Sequence, residues 1–319
     1  MAKITTPKTK KRFSKRVKTE LGEFKKNAPM TILALPAIIV IFIFNYLPLY
    51  GLVLPFQKYS PALGVFKSPW CGLENFKFLF KTGTIWPAVF NTIAYNLVFL
   101  FVGTAMAVMF ALLLYEMSNK AQKIYQTSLL IPYFLSWVAV SYILNTLLDV
   151  DHGMLNKILG LFGHEPILWY NEPKYWPVLL TLTNIVKNVG YNAVIYLAAL
   201  TGLDSAYFEA AKIDGASKLQ QIWYVSLPMI KPIIIVMMIL SVGNMMRGDF
   251  GLFFNTTMNS PLLYKTTDVI DTYVYRSLMN VSDIGMASTT GFIQAVVGFF
   301  LVLGTNLVVK KIEPDSALF

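Results

Sequence analysis

The segment Leu203-Asp204-Ser205-Ala206-Tyr207-Phe208-Glu209-Ala210-Ala211-Lys212-Ile213-Asp214-Gly215-Ala216 continues as Ser217-Lys218-Leu219-Gln220-Gln221-Ile222-Trp223-Tyr224-Val225-Ser226-Leu227-Pro228. It is polar and turn-rich, and it lies between two long apolar runs. Gly202 can end the run before it, and Asp204 or Ser205 can cap a new short helix. That helix passes through Glu209-Ala210-Ala211 and stops at Gly215, which is free to take the left-handed conformation. Ser217 with Gln220 fits a capping box, so a second helix starts there and runs to about Ser226. Pro228 and Pro232 mark the entry to the next apolar run. The product is helix–turn–helix with a small Ala-Ala surface on its first helix. Small side chains let another protein approach closely. Two short helices with a tight turn transmit force better than a flexible loop.

Outward from this segment the 319-residue chain is apolar: 55% hydrophobic, 14% charged, mean hydropathy +0.55. A soluble globular domain runs about 25% charged, so a soluble enzyme is excluded. So is a disordered or nucleic-acid-binding chain, although the net charge is +10. Disorder needs low hydrophobicity, and most of the basic excess sits in one short tail. Cys71 is the single cysteine, which rules out an intrachain disulfide framework and any Cys-based metal cage. His152 and His164 leave little material for a metal site.

A bilayer crossing needs about 20 mostly apolar residues. Six stretches qualify, at roughly 31–55, 87–115, 124–148, 176–201, 229–247 and 287–309. The second and third are uninterrupted by charge until their ends. The first carries Pro36, Pro48 and Pro55, which kink a membrane helix without forbidding it. The fourth and fifth contain Lys187 and Arg247. Ten Lys/Arg in residues 1–30 place that end in the cytoplasm. Six crossings return the C-terminus there, where Lys310 and Lys311 follow the last span. The first apolar run is too long and too Pro-broken for a cleavable signal peptide. In the tail, Phe13, Val17, Leu21 and Phe24 recur at helical spacing among Lys15, Arg16, Lys18, Lys25 and Lys26. That pattern predicts an amphipathic helix on the inner membrane face, held by anionic lipid. The chain thus divides into a basic cytoplasmic tail, 1–30, and a six-helix membrane domain, 31–319, with the segment 202–228 between spans four and five.

The sequence contains no G-x-x-x-x-G-K-[ST], G-x-S-x-G, H-E-x-x-H or G-x-G-x-x-G. It therefore does not cradle ATP itself. Uphill transport would draw on an ion gradient or on a partner.

The segment 202–228 resembles the EAA loop of ABC-importer permeases, whose pattern is E-A-A, three residues, Gly, nine residues, then Ile-x-Leu-Pro. Glu209-Ala210-Ala211, Gly215 and Leu227-Pro228 match at that spacing, with Val225 where Ile is usual. Gly72-Leu73-Glu74-Asn75-Phe76 ahead of Asn91-Thr92 is similar to the G-L-x-N-F … N-T pattern of maltose-type carbohydrate permeases. Two further stretches resemble the oligosaccharide subgroup related to lipoprotein-named polysaccharide permeases. They are Lys187-Asn188-Val189-Gly190-Tyr191-Asn192 with Tyr196-Leu197-Ala198-Ala199-Leu200, and 266–276 from Thr266 to Arg276. The resemblance implies an all-α type I ABC importer permease fold with six transmembrane helices and both termini cytoplasmic. It implies a subunit of the cell membrane that does no covalent chemistry and binds no cofactor, ATP and Mg being held by partner ATPase subunits. It implies ATPase coupling through Glu209, Ala210, Ala211, Asp214 and Gly215. The implied partners are a second homologous permease, two ABC ATPase subunits, an extracytoplasmic sugar-binding protein and membrane lipid, with no nucleic acid. The implied cargo is an oligosaccharide or polysaccharide fragment.

Polar residues at helical spacing mark a candidate path. Asn184, Lys187, Asn188, Tyr191 and Asn192 fall near one face of span four; Ser241, Asn244, Arg247 and Gly248 do so in span five; span six offers Thr290, Gln294, Gly298 and Thr305; span two offers Asn91 and Tyr95. Such groups face protein or water inside a membrane, and they also hold helices together. Lys187 and Arg247 can instead reach an interface or pair with Asp249. Loops 56–86, 149–175 and 248–286 face outward and are rich in aromatics, with Trp86 and Trp176 expected in the interfacial belt. Tyr264, Asp268, Asp271 and Arg276 are the candidates for docking a sugar-binding protein, or for a salt bridge internal to their loop. One rival is an ion-coupled carrier of a small polar solute using Lys187, Arg247 and Asp249, which leaves the EAA loop unexplained. Another is a membrane glycosyl transferase, for which no convincing carboxylate pair is present.

Overall fold

A computed structural model describes residues 28–83, 85–279 and 282–312. The expected surface helix of the tail lies outside them. Among the described residues the protein is helical, with one isolated antiparallel bridge, Gln57–Trp70. The chain divides into two units, 1–53 and 54–319. In the first, α1 (Ala28–Ile41) leads into a widened π turn, Phe42–Tyr46. There the Leu47 N–H donates to the Phe42 carbonyl, five residues back and just before Pro48. A proline ring clashes with the carbonyl four residues back, and a wider turn relieves it.

The second unit begins with α2 (Gly64–Lys67), α3 (Glu74–Thr82), α4 (Trp86–Tyr115), α5 (Asn119–Phe134) and α6 (Trp137–Leu148). It continues through α7 (Met154–Leu161), α8 (Trp176–Thr201), α9 (Ser205–Ile213), α10 (Lys218–Gln221) and α11 (Leu227–Gly243). It ends with α12 (Phe250–Thr256), α13 (Tyr264–Thr267), α14 (Ile270–Met279) and α15 (Ile284–Ile312). Four helical stretches are long and apolar enough to cross a membrane: Ala28–Phe56, Trp86–Tyr115, Lys218–Gly243 and Ile284–Lys311. A fifth is the pair α5 and α6. The stretch expected as the fourth span is not among these; it folds as the unbroken α8, 26 residues, about 39 Å at roughly 1.5 Å per residue. Asn184, Lys187, Asn188 and Asn192 dilute its apolar run.

Three sequence expectations are corrected. The run 124–148 is not one straight span: α5 and α6 meet at 95°. Pro132 withholds an amide from the last turn of α5, Leu135 and Ser136 are extended, and the Ser136 hydroxyl caps α6 by accepting the Ala139 N–H at 3.1 Å. The helix after Ser217 does not stop near Ser226. It widens into a π turn, Ile222–Ser226, and runs on into α11 with Pro228 in the first turn. Trp176 is not a belt aromatic: it is fully buried and its indole N–H donates to the Trp169 carbonyl at 2.8 Å. Trp86 is 53% exposed.

The core has two centres. In one, Ala107 and Ala111 of α4 meet Ala193 and Leu200 of α8, all fully buried, with Ile230 of α11 against them. Small side chains bring the helix backbones close, which is how helices associate where no water drives them together. In the other, Tyr95, Leu148, Trp176 and Leu180 pack on Leu252, Phe253, Leu263 and Val269. The stretch 248–286 is therefore no loose loop. It carries three helices and a 3-10 turn and buries apolar side chains against α4, α6 and α8.

Candidate functional site

The EAA segment folds as its sequence dictates. Asp204 caps α9 by accepting the Ala206 N–H at 3.0 Å. Gly215 takes φ +77°, where an L side chain is strained, and the Ala216 N–H closes back on the Ala211 carbonyl at 2.9 Å. Ser217 and Gln220 form both bonds of the capping box. Glu209, Ala210 and Asp214 are exposed, and Ala211 is half-buried. The segment is fastened to the end of α4: Phe208 packs on Tyr115 at 5.7 Å, and Lys218 pairs with Glu116 at 2.5 Å. A cleft of about 350 Å³ between them is lined by Glu209, Lys212, Lys218 and Gln221.

A larger cavity, about 490 Å³, gathers most of the expected path residues. Asn184, Asn188, Tyr191 and Asn192 of α8 face Ser241 of α11 and Asn244, Arg247, Gly248 and Asp249 beyond its end. Spacing on α8 alone predicts this face, because residues 184, 188, 191 and 192 recur at the helical period. The wall also includes Asn96 and Thr104 of α4 and Tyr133 of α5, which the sequence reading missed. Residues 96, 100 and 104 recur every four residues, a signal that was present; Tyr133 depends on the break after α5 and was not legible. Tyr133 and Tyr191 stack at 4.5 Å with planes 9° apart. Asparagine amides each offer two donors and an acceptor to hydroxyl groups. An aromatic face suits the C–H face of a sugar ring.

Lys187 lies outside this wall. Its ammonium is buried and donates to the Tyr133 and Leu135 carbonyls at 2.7 and 2.6 Å, and to that of Pro132 at 3.5 Å. It satisfies carbonyls left open where α5 ends. One turn on, Gly190 makes room for α5: a Cβ there would lie 1.9 Å from the Leu129 carbonyl oxygen. Gln294 is also off the wall; its amide donates to the Met246 carbonyl at 2.9 Å and to Asp271 at 3.3 Å. Gly298 is a packing residue, where a Cβ would sit 3.3 Å from the Gly243 carbonyl.

The docking candidates separate. Arg276 pairs with Asp268, its guanidinium stacks on Tyr264 at 4.0 Å, and Asp268 also accepts from the Thr272 hydroxyl at 2.7 Å. The pair is mostly buried, with 15% and 12% of the two side chains exposed. Asp271 instead accepts the Gly248 N–H and the Gln294 amide. Burial pushes its carboxyl above the usual range, against those two donors and the Arg247 charge, which favour the carboxylate. The start of α4 locks this region. The Asn91 amide donates to the Asp268 carbonyl at 2.9 Å, and the Tyr95 hydroxyl to that of Thr266 at 2.8 Å. Thr92 accepts the Ile270 N–H at 2.9 Å. The Asn96 amide donates to the Met245 and Arg247 carbonyls at 3.0 Å each. Asn91 and Tyr95 thus hold backbone. Across the molecule, no group of three metal-ligating side chains occurs among the described residues.

A bundle of apolar helices around a polar cavity, with an EAA helix fastened to its end, defines a multi-pass permease of the type I ABC importer fold. The profile of the binding-protein-dependent transport system inner membrane component family matches residues 158–314. The polygalacturonan/rhamnogalacturonan transport system permease protein YteP of Bacillus subtilis is 34% identical over 89% of this chain and 88% of its own. The trehalose/maltose transport system permease protein MalF of Thermococcus litoralis is 25% identical over 88% of this chain and 92% of its own. A bacterial ABC transporter involved in import of the acidic polysaccharide alginate superposes with a TM-score of 0.84 at 29% identity, covering 92% of this chain and 99% of that one. A bacterial alginate ABC transporter in complex with alginate pentasaccharide-bound periplasmic protein superposes with a TM-score of 0.83 at 29% identity, covering 91% of this chain and 97% of that one. The chain belongs to the family of binding-protein-dependent transport system inner membrane components. It is a non-catalytic permease subunit of the cell membrane.

Proposed function

We propose that this chain is one of two permease subunits of an ATP-driven importer of oligosaccharides or polysaccharide fragments. The observation that carries it is the cavity, where Asn184, Asn188, Asn192 and Asn244 converge beside the Tyr133–Tyr191 stack. Neutral amides and aromatic faces bind sugars weakly enough to release them. The polysaccharide cargoes named for the relatives support the same class of substrate. Six helical crossings with both termini in the cytoplasm suit the basic tail and the Lys310–Lys311 end. The second, homologous permease would close the path from the other side. Two ATPase subunits, which hold the ATP and Mg, would grip α9 through Glu209, the Ala210–Ala211 surface, Asp214 and the turn at Gly215. Closing the ATPases shifts the helices between inward-open and outward-open packings. A sugar-binding protein docks on the outer face of 248–286. Tyr264, Asp268 and Arg276 shape that face from within, and Asp271 ties it to Gly248.

The test is co-purification of the tagged chain from native membranes in mild detergent, beside Gly215→Pro. An ATPase and a second permease come down with the wild type, and the ATPase is lost from the variant. A folded chain that comes down alone overturns the assembly.

A further inference from the structure

We propose that Arg247 makes the cavity selective for acidic oligosaccharides, by holding a uronate carboxylate; this rests on reading the cavity as the sugar path. Arg247 lines the cavity, is exposed, and makes no ion pair among the described residues. A cation on a cavity wall takes an anion or water as its partner. The guanidinium fork matches a carboxylate through two parallel hydrogen bonds.

The nearby acids accept from backbone and amide donors, and the Arg247 charge acts on Asp271 without a direct ion pair. Asp249 accepts the Leu252 N–H at 3.2 Å as the cap of α12. Asp271 accepts the Gly248 N–H and the Gln294 amide and is not on the wall. The other cation of the region, Lys187, is spent on carbonyls and is also off the wall. Arg247 is therefore the one cation on the wall among the described residues. Its backbone is fixed, because Asn96 holds the Met245 and Arg247 carbonyls. The rest of the wall is amide, hydroxyl, aromatic and aliphatic apart from Asp249, so sugar rings are read there and charge is read at Arg247.

The experiment uses the intact importer in nanodiscs, without binding protein, and two probes: trigalacturonate and its fully methyl-esterified form. Saturation-transfer NMR gives the affinity of each. In the wild type the acid binds about 10-fold more tightly than the ester, the scale of one charge-assisted contact. Arg247→Gln brings that ratio to about one with the ester unchanged, and Arg247→Lys keeps part of it. Size-exclusion profiles and the co-purified ATPase confirm that both variants assemble. Equal loss of both probes in Arg247→Gln overturns the proposal, because the charge then serves internal pairing. So does a wild-type ratio near one. A parallel arm measures ATP-dependent uptake of the acid into proteoliposomes with binding protein present. Uptake that persists while the ratio is insensitive to Arg247 leaves the oligosaccharide path standing and removes the role of Arg247. Absence of ATP-dependent uptake of either probe removes the path itself.

Discussion

Lys187 puts a charge where backbone carbonyls have lost their helical partners, at the end of α5. Replacing it with methionine leaves those carbonyls buried and bare, which costs about 2–3 kcal/mol. Lys187→Met is expected to lower the melting temperature of the detergent-solubilised protein, and Lys187→Arg to recover part of the loss. A methionine variant as stable as the wild type would show that the carbonyls find other donors. Gly190→Ala acts on the same joint from the other side. Its Cβ would lie 1.9 Å from a backbone oxygen that has no rotamer to escape into, so about 1–3 kcal/mol of overpacking is expected. Its sign is slower disulfide formation between cysteines placed across α5 and α8. The sequence put Lys187 and Asn188 on one polar face of α8, and the structure separates them. It could not show that Lys187 turns to carbonyls and Asn188 to a cavity. That division depends on the break after Phe134, and the run 124–148 carries only Pro132 as a local mark of it.

The same local chemistry shapes two helices. Phe42–Tyr46 and Ile222–Ser226 are both π turns, and each is followed directly by Leu-Pro. The sequence offered both prolines as marks of helix entry or kinking. Their effect is different, since the extra residue accommodated in the turn sets the rotation of everything before it. Pro228→Ala restores an amide that can reach the Tyr224 carbonyl. The turn then tightens, and α10 rotates relative to α11 by about 100°, one residue of an α-helix. The expected result is that cysteines replacing Glu116 and Lys218, which crosslink readily in the Pro228 background, crosslink slowly in Pro228→Ala. Unchanged crosslinking would mean that the π turn owes nothing to the proline. In contrast, α9, the turn at Gly215 and the capping box at Ser217 follow from residues within a few positions of each other. That is why this part of the site was fully legible.

At the scale of the molecule, the stretch 248–286 is held by polar side chains from the first turns of α4. Its helices were not foreseen, because its aromatic and polar residues have no single period and its burial depends on partners far away in sequence. The Asn91-Thr92 pair was visible as a pattern, but its partners at 265–270 were not. Asn91→Ala frees the Asp268 carbonyl, at a cost of about 1–2 kcal/mol. Hydrogen exchange in 264–272 is expected to quicken several-fold, while exchange in α9 stays unchanged. Equal protection in both proteins would place the lock elsewhere.

One helix is bonded at both extremes. Through Glu116 and Tyr115, α4 grips the EAA segment, and through Asn91, Thr92 and Tyr95 it grips the stretch 248–286. It has 30 residues and no proline beyond its first turn, so it is a strut about 45 Å long at roughly 1.5 Å per residue. In the proposed importer, a stroke applied at Lys218 would reach Asn91 through one unbroken helix. The pair α5 and α6, bent by 95°, would yield at its joint instead.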